Sequence, residues 1–213
     1  MLIENITTYG PNQVGVRFYK NFECENLTLR NLTFRGVTFT GTDDLALHFG
    51  FHAGGQASSA MGDFPTQAAF YAWDAYGLTF ENCAFEQLAG EGIRLRGRVE
   101  HFTVKDSTFR EIGACAIRAA SPKMRKFDRE DGNQHIRIEN NLLEGIAREY
   151  YNSPAIMLTS SQHVVITRNT IRDCSYGALE ILDGNGRFEF HNCMLTGSEA
   201  YDRYEPTPYS ELA

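Results

Sequence analysis

The chain has no run of about 18 apolar residues, which leaves no candidate for a membrane-spanning helix. It is poor in positive charge. Twenty Lys and Arg face 27 Asp and Glu, for a formal net charge of -7. Nucleic-acid binding needs clustered Lys and Arg against phosphates, so an acidic chain argues against that partner. No C-x-x-C pair occurs, and the five cysteines (Cys24, Cys83, Cys115, Cys174, Cys193) are odd in number. Neither a zinc finger nor a closed disulfide framework is implied, and small buried thiols are expected instead. The first residues, Met1-Leu2-Ile3-Glu4-Asn5, lack the basic and apolar segments of a signal peptide. A 213-residue chain with 42% hydrophobic and 22% charged residues can still bury a sizeable core.

What is present is a repeat. Its pattern is apolar, any, apolar, any, Asn or Asp, two residues, apolar. It begins at Leu27, Leu78, Phe102, Ile136, Val164 and Phe188, so successive starts are 51, 24, 34, 28 and 24 residues apart. Alternation with period 2 predicts strands with one buried face. The Asn or Asp that follows (Asn31, Asn82, Asp106, Asn140, Asn192; Arg168 in one copy) suits a sharp left-handed bend. A second strand precedes each copy: Ala69–Ala72, Ile93–Arg96, Ile117–Ala120, Ile156–Thr159 and Leu179–Leu182, with an earlier one at Val16–Phe18. A unit of about 24 residues that grows by insertion describes a solenoid with loops at its corners. The leucine-rich-repeat pattern is absent, and no Asn-Gly or Asp-Gly hairpin joins two repeats. The expected fold is therefore all-β, a right-handed parallel β-helix of about six to seven rungs over residues 1–197. Residues 198–213, with Tyr201, Tyr204, Pro206, Pro208 and Tyr209, are expected to form a capping tail. Long insertions, Gly41–Gln67 and Ser121–Gln134, are expected to border a binding face.

Three stretches carry a resemblance to a known family: Leu78-Thr-Phe-Glu-Asn-Cys-Ala-Phe-Glu-Gln-Leu88, Phe109-Arg-Glu-Ile-Gly-Ala-Cys-Ala-Ile117, and the run from Glu149-Tyr-Tyr-Asn-Ser-Pro-Ala-Ile156 through His163–Asp173 to Tyr176-Gly-Ala178. They resemble the β-helix glycoside hydrolases of the fucosidase and xylosidase type, over roughly residues 65 to 195. The resemblance implies a carbohydrate substrate and no cofactor. The family's catalytic carboxylates do not map onto matching motif positions here, and such enzymes are usually longer.

The candidate site therefore rests on the residues. Arg94, Arg96 and Arg118 are outward positions of the second-strand column, taken as Arg17, Phe70, Arg94, Arg118, Met157 and Glu180. They make a basic patch on an acidic chain. Glu180 and Asp183 lie on the same face two rungs beyond Arg118, and Glu149, Tyr150 and Tyr151 enter from the intervening loop. Read functionally, this is a sugar cleft. Glu180, Asp183 and Glu149 are the carboxylate candidates, the arginines and Tyr150, Tyr151 and Trp73 the sugar-binding ones. Read structurally, it is a solvated face with weak Arg–Glu pairs. Asp43-Asp44 resembles the paired aspartates of the polygalacturonase type, which supply an acid and a water-activating base, but the companion Gly-His-Gly and Arg-x-Lys motifs are missing. His101, His135 and His163 should stack at one corner, and no metal site is expected there. The leading functional reading is glycoside hydrolysis. Its rivals are a uronate lyase or epimerase using Arg118 and a tyrosine, and a carbohydrate-binding or structural solenoid without catalysis.

Overall fold

A computed structural model describes residues 1–9, 16–18, 24–36, 68–120, 132–150, 153–182 and 188–196. All regular structure there is strand, and all pairing is parallel. No helix among the described residues is long and apolar enough to cross a membrane.

The strands fall into three faces. On the first, inward residues align as Ile3, Leu29, Phe80, Val104, Ile138, Ile166 and Phe190. On the second, they align as Phe34, Phe85, Phe109, Leu143, Ile171 and Leu195. The third aligns Phe70, Ile93, Ile117, Ile156 and Leu179. The chain visits the faces in rotation, so each turn stacks on the last. This is a right-handed parallel β-helix, with seven strands on the second face and thirteen shared between the other two among the described residues.

The period-2 alternation explains the interior. Leu78, Phe80, Phe102, Val104, Ile136, Ile138, Val164 and Ile166 are all buried at 1% exposure or less. Phe34, Phe85 and Phe109 stack face to face along the second face, with centroids 4.8 and 4.5 Å apart. Stacking of identical side chains on successive rungs fills a core of constant cross-section.

The corners follow from the polar residues. Asn5, Asn31, Asn82, Asp106, Asn140, Arg168 and Asn192 all have φ between 51° and 59°, the left-handed bend that asparagine tolerates. Amides bridge rungs there: Asn31 Nδ2 donates to Asn5 Oδ1 (3.0 Å), and Asn82 Nδ2 to Asn31 Oδ1 (2.8 Å). One residue further on, the side chain turns inward. Ser107 N donates to Asn141 Oδ1 (2.9 Å), and Asn141 N to Asn169 Oδ1 (3.0 Å), which satisfies buried amides that face no strand partner.

At another corner, Asn26, Gly77, His101, His135 and His163 all take positive φ. The three imidazoles stack as expected, at 4.7 and 5.0 Å, with the Tyr76 ring edge-on to His101 at 5.3 Å. Parallel rings direct their nitrogens into parallel planes rather than toward one point. A Cβ on Gly77 would lie 2.7 Å from Asn26 Oδ1, so a side chain there would displace the Asn26 amide.

Two details differ from expectation. The third-face strand Ala68–Tyr76 pairs so that Phe70 faces inward beside Ile93 and is fully buried, while Tyr71 takes the outward place. Asn133 and Gln134, expected in the second insertion, begin the strand Asn133–Glu139. The first insertion from 41 to 67, residues 121–131 and the tail at 198–213 lie outside the described residues.

Candidate functional site

The outward side chains of the three faces are of two kinds. On the first face, Glu4, Arg30, Glu81, Lys105 and Glu139 occupy successive rungs. On the second, Arg35, Glu86, Arg110, Glu144 and Arg172 do so. Charge alternates at every step. The ion pairs that result, such as Arg30–Glu81 at 3.0 Å, Lys105–Glu81 at 3.2 Å and Arg172–Glu144 at 2.7 Å, join side chains that are 27–48% exposed. Lys105 first, and Arg30, hold the Glu81 carboxyl below the usual carboxylate range. Pairs this wet contribute little each. Their regular alternation keeps like charges off neighbouring rungs.

The third face breaks that rule. Its outward column reads Tyr71, Arg94, Arg118, Met157, Glu180. Arg94 and Arg118 are like charges on adjacent rungs, and both are buried, at 3% and 0% exposure. Glu91 joins them. Its Oε1 lies 2.8 Å from Arg118 Nη1 and its Oε2 3.8 Å from Arg94 Nε, with the carboxylate 1% exposed. Arg118 Nη2 also donates to Met157 Sδ at 3.3 Å. Burial pulls the Arg94 guanidinium down from its ordinary value. Glu91 opposes that fall, and Arg118 and Arg96 add to it. Withdrawing such ions from water costs several kcal/mol each before pairing repays it, so this cluster is energetically unlike the two charge ladders.

Other groups converge on it. Tyr150 is buried at 2%, and its hydroxyl is pushed up to about 12, by burial first and then by Glu149 and Glu91. The Cys115 thiol is likewise pushed up to about 12 by burial; Arg118 opposes the rise, and Glu91 and Glu180 add to it. Both groups are therefore neutral hydrogen-bonding neighbours near pH 7, and a thiol so raised is no nucleophile.

The expected site residues separate into groups. Arg94, Arg118 and Tyr150 come together with Glu91, but as a buried cluster and not as an open sugar cleft. Arg96, next outward on the same strand as Arg94 and opposite Trp73, is half-buried, as are Tyr71 and Glu180. Glu149 is exposed, and its backbone N donates to Gly113 O at 3.0 Å. Arg118 is bonded to Glu91 and fully buried, so it is not placed to move a proton at a uronate C5. Asp43, Asp44, Asp183 and Tyr151 lie outside the described residues, and so does the side chain of Trp73.

Glu91 had no repeat position to mark it. Its signal is local: it stands between Gly90 and Gly92, three residues before Arg94. A Cβ on Gly92 would lie 2.5 Å from Ala116 O and 3.0 Å from the Phe109 ring, so the start of the strand Glu91–Lys105, which carries Glu91, packs directly on the next rung. Among the described residues no group of three or more His, Cys, Asp or Glu could hold a metal ion.

The geometry can be set beside known proteins. No curated protein matches the chain significantly in sequence. Among solved structures, it is similar to a candidate glycosyl hydrolase of Parabacteroides merdae, at 14% identity over 81% of this chain and 73% of that one, with a TM-score of 0.49. It is also similar to the surface protein and adhesin PfbA of Streptococcus pneumoniae, at 12% identity over 92% of this chain and 65% of that one, with a TM-score of 0.43. Likeness at such identities concerns the fold alone. A family model for the right-handed β-helix region matches residues 1–202. With its parallel rungs and that match over nearly its whole length, the chain belongs to the right-handed β-helix family.

Proposed function

We propose that this protein is carbohydrate-active, that a glycan docks on the third face, and that Glu180 is the carboxylate it meets in a glycoside-hydrolase type of reaction. One observation carries the reading. The third face alone, among the described residues, replaces exposed alternating charges with a buried Glu91–Arg94–Arg118 cluster, flanked by half-buried Tyr71, Arg96 and Glu180. Charged groups gathered out of water, beside an Arg94 pulled down and a Tyr150 and Cys115 pushed up by burial, favour a functional site over a solvated face. Arginine, tyrosine and carboxylate side chains are also the types that bond sugar hydroxyls and cover sugar rings.

A binding-only role is favoured by a different observation. Hydrolysis needs two carboxyl groups roughly 5–5.5 Å apart for retention or 6.5–9.5 Å for inversion. Glu91 is committed to Arg118 and lies three rungs from Glu180, ~14 Å at the ~4.8 Å strand spacing. A second catalytic carboxyl would then have to be Glu149 or one of Asp43, Asp44 and Asp183.

The test is a glycan array and a hydrolysis screen of wild type, Glu180→Gln and Arg96→Ala. If the site is hydrolytic, Glu180→Gln abolishes turnover while folding and glycan retention persist, because the change keeps shape and removes charge and proton exchange. If it only binds, Arg96→Ala weakens retention, Glu180→Gln changes little, and no turnover is found. No glycan binding by any of the three proteins sinks both and leaves a structural solenoid.

A further inference from the structure

We infer that Arg148 is a positioning residue: it straps residues 147–150 to the coil through Glu111 and Asp173, and so holds Tyr150 closed over the Glu91–Arg118 pair. A missing side chain makes room for it. Glu111, Gly145 and Asp173 occupy one column on successive rungs, between the aligned positions Arg110–Glu144–Arg172 and Ile112–Ile146–Cys174. All three bend left-handed, with φ of 53°, 67° and 54°. Glycine leaves the place between the two acids empty, and Arg148 enters it from three residues further along the same rung. A Cβ on Gly145 would lie 2.4 Å from Glu111 Oε1 and 3.1 Å from Arg148 Nη2, so the ion pair takes the space that a side chain would need.

The guanidinium forks to both sides. Its Nε and Nη2 donate to Glu111 Oε2 and Oε1, each at 3.3 Å. Its Nη1 donates to Asp173 Oδ1 at 3.4 Å, and Nη2 also donates to Asp173 Oδ2. Exposed ion pairs contribute little one at a time. Here one planar cation ties a carboxylate on the rung before to a carboxylate on the rung after, with paired donors that an ammonium lacks. Burial pulls the Arg148 guanidinium down, but Glu111 and Asp173 outweigh it and leave the group above its ordinary value.

The clamp holds the chain just beyond it. Ala147 turns left-handed, with φ of 66°. Three successive amides then dock on the previous rung: Arg148 N donates to Ile112 O at 3.0 Å, and Glu149 N and Tyr150 N donate to Gly113 O at 3.0 and 2.8 Å. Arg148 and Glu149 stay exposed, whereas Tyr150 goes inside, where the charge of Glu91 acts on its hydroxyl. A short segment with one buried side chain opens locally at low cost unless something pins it. Closure keeps water from Glu91 with or without a ligand, so the strap goes beyond the docking of a glycan.

The experiment follows hydrogen exchange of the Glu149 and Tyr150 amides by NMR in the full chain, with the Phe109 amide as the marker of global opening. Wild type is compared with Arg148→Gln, Arg148→Lys and Glu111→Gln. Arg110→Gln is the control, because it removes an ion pair to Glu144 (3.2 Å) on the same two rungs and leaves the strap alone. In Arg148→Gln the two strap amides should exchange about fivefold faster, the scale of two exposed ion pairs lost together, while Phe109 keeps its rate. Glu111→Gln should give a smaller acceleration, and Arg148→Lys should restore part of the protection. Salt at about 1 M should speed strap exchange in wild type and not in Arg148→Gln. Cys115, in the same cluster as Glu91 and Arg118, should alkylate faster relative to Cys83 in Arg148→Gln. Unchanged strap exchange in Arg148→Gln overturns the inference. So does an acceleration that Arg110→Gln reproduces or that Phe109 shares, since the loss is then general. Faster strap exchange with an unchanged Cys115 rate overturns the closure over the cluster. No arm needs a glycan, so failure here leaves glycan docking standing, and an empty glycan array leaves the strap standing.

Discussion

Glu91 and Arg118 lie on neighbouring rungs of the third face, 2.8 Å apart at Oε1 and Nη1, with both side chains 1% exposed. Neither has water to fall back on. Removing the charge of one leaves the other buried and uncompensated, which costs about 3–5 kcal/mol. Glu91→Gln should therefore lower the urea midpoint by that equivalent. The double variant Glu91→Met with Arg118→Met should recover part of the loss, because it removes both ions together. A Glu91→Gln protein as stable as wild type would show that the pair contributes nothing.

Phe102 is fully buried in the first-face column between Leu78 and Ile136, with its ring edge-on to Phe80 at a centroid distance of 6.3 Å. Phe102→Ala should cost about 3–5 kcal/mol by opening a cavity between two rungs. Denaturant unfolding reads this directly. A loss below about 1 kcal/mol would mean that the column is not packed rung on rung.

Burial raises four acids, the Cys83 thiol among them, and three of them far. The Cys115 and Cys174 thiols go from 9.0 to about 12, and the Tyr150 hydroxyl from 10.0 to about 12. Each group stays protonated in the folded chain to a higher pH than in the unfolded one. Their stabilising contribution is thus complete below pH 9 and is lost as pH rises from about 9 toward 12. Urea midpoints should fall steeply between pH 8.5 and 11 (roughly, from these values), and Cys115→Ala should flatten part of that slope. A midpoint constant across that range would contradict the burial of these groups.

Cys83, Cys115, Cys174 and Cys193 are free, and only Cys193 is not buried. Cys83 and Cys193 share a column but stand four rungs apart, about 19 Å at the strand spacing and far beyond disulfide reach. Alkylation of the native protein followed by mass spectrometry should label Cys193 well ahead of the other three. Finding Cys83 and Cys193 joined in a native disulfide would refute the rung order.

The repeat alone determined the coil. Alternation at Leu78–Phe80, Phe102–Val104 and Ile136–Ile138 leaves one way to bury every apolar residue, and Asn or Asp at the following position supplies a bend that few other residues accept. The histidine ladder follows from the same count, since His101, His135 and His163 each precede a rung by one residue. Where the pattern was ambiguous, only tertiary pairing decided. Ala68–Tyr76 is apolar or aromatic at nearly every place, so a one-residue slip leaves its local preference almost unchanged. The match of Phe70 with Ile93, and a register shift between Arg96 and Val99, chose between the alternatives. The site was decided the same way. Alternation places Arg94 and Arg118 outward, but burial belongs to what surrounds a residue, and that is assembled from other rungs. Glu91 opens its strand outside the repeat, and its meaning comes from Arg118, 27 residues later and one rung away. Local periodicity sets which way a side chain points. Which charges meet, and how dry they are when they do, is set by the stacking of rungs that the sequence keeps far apart.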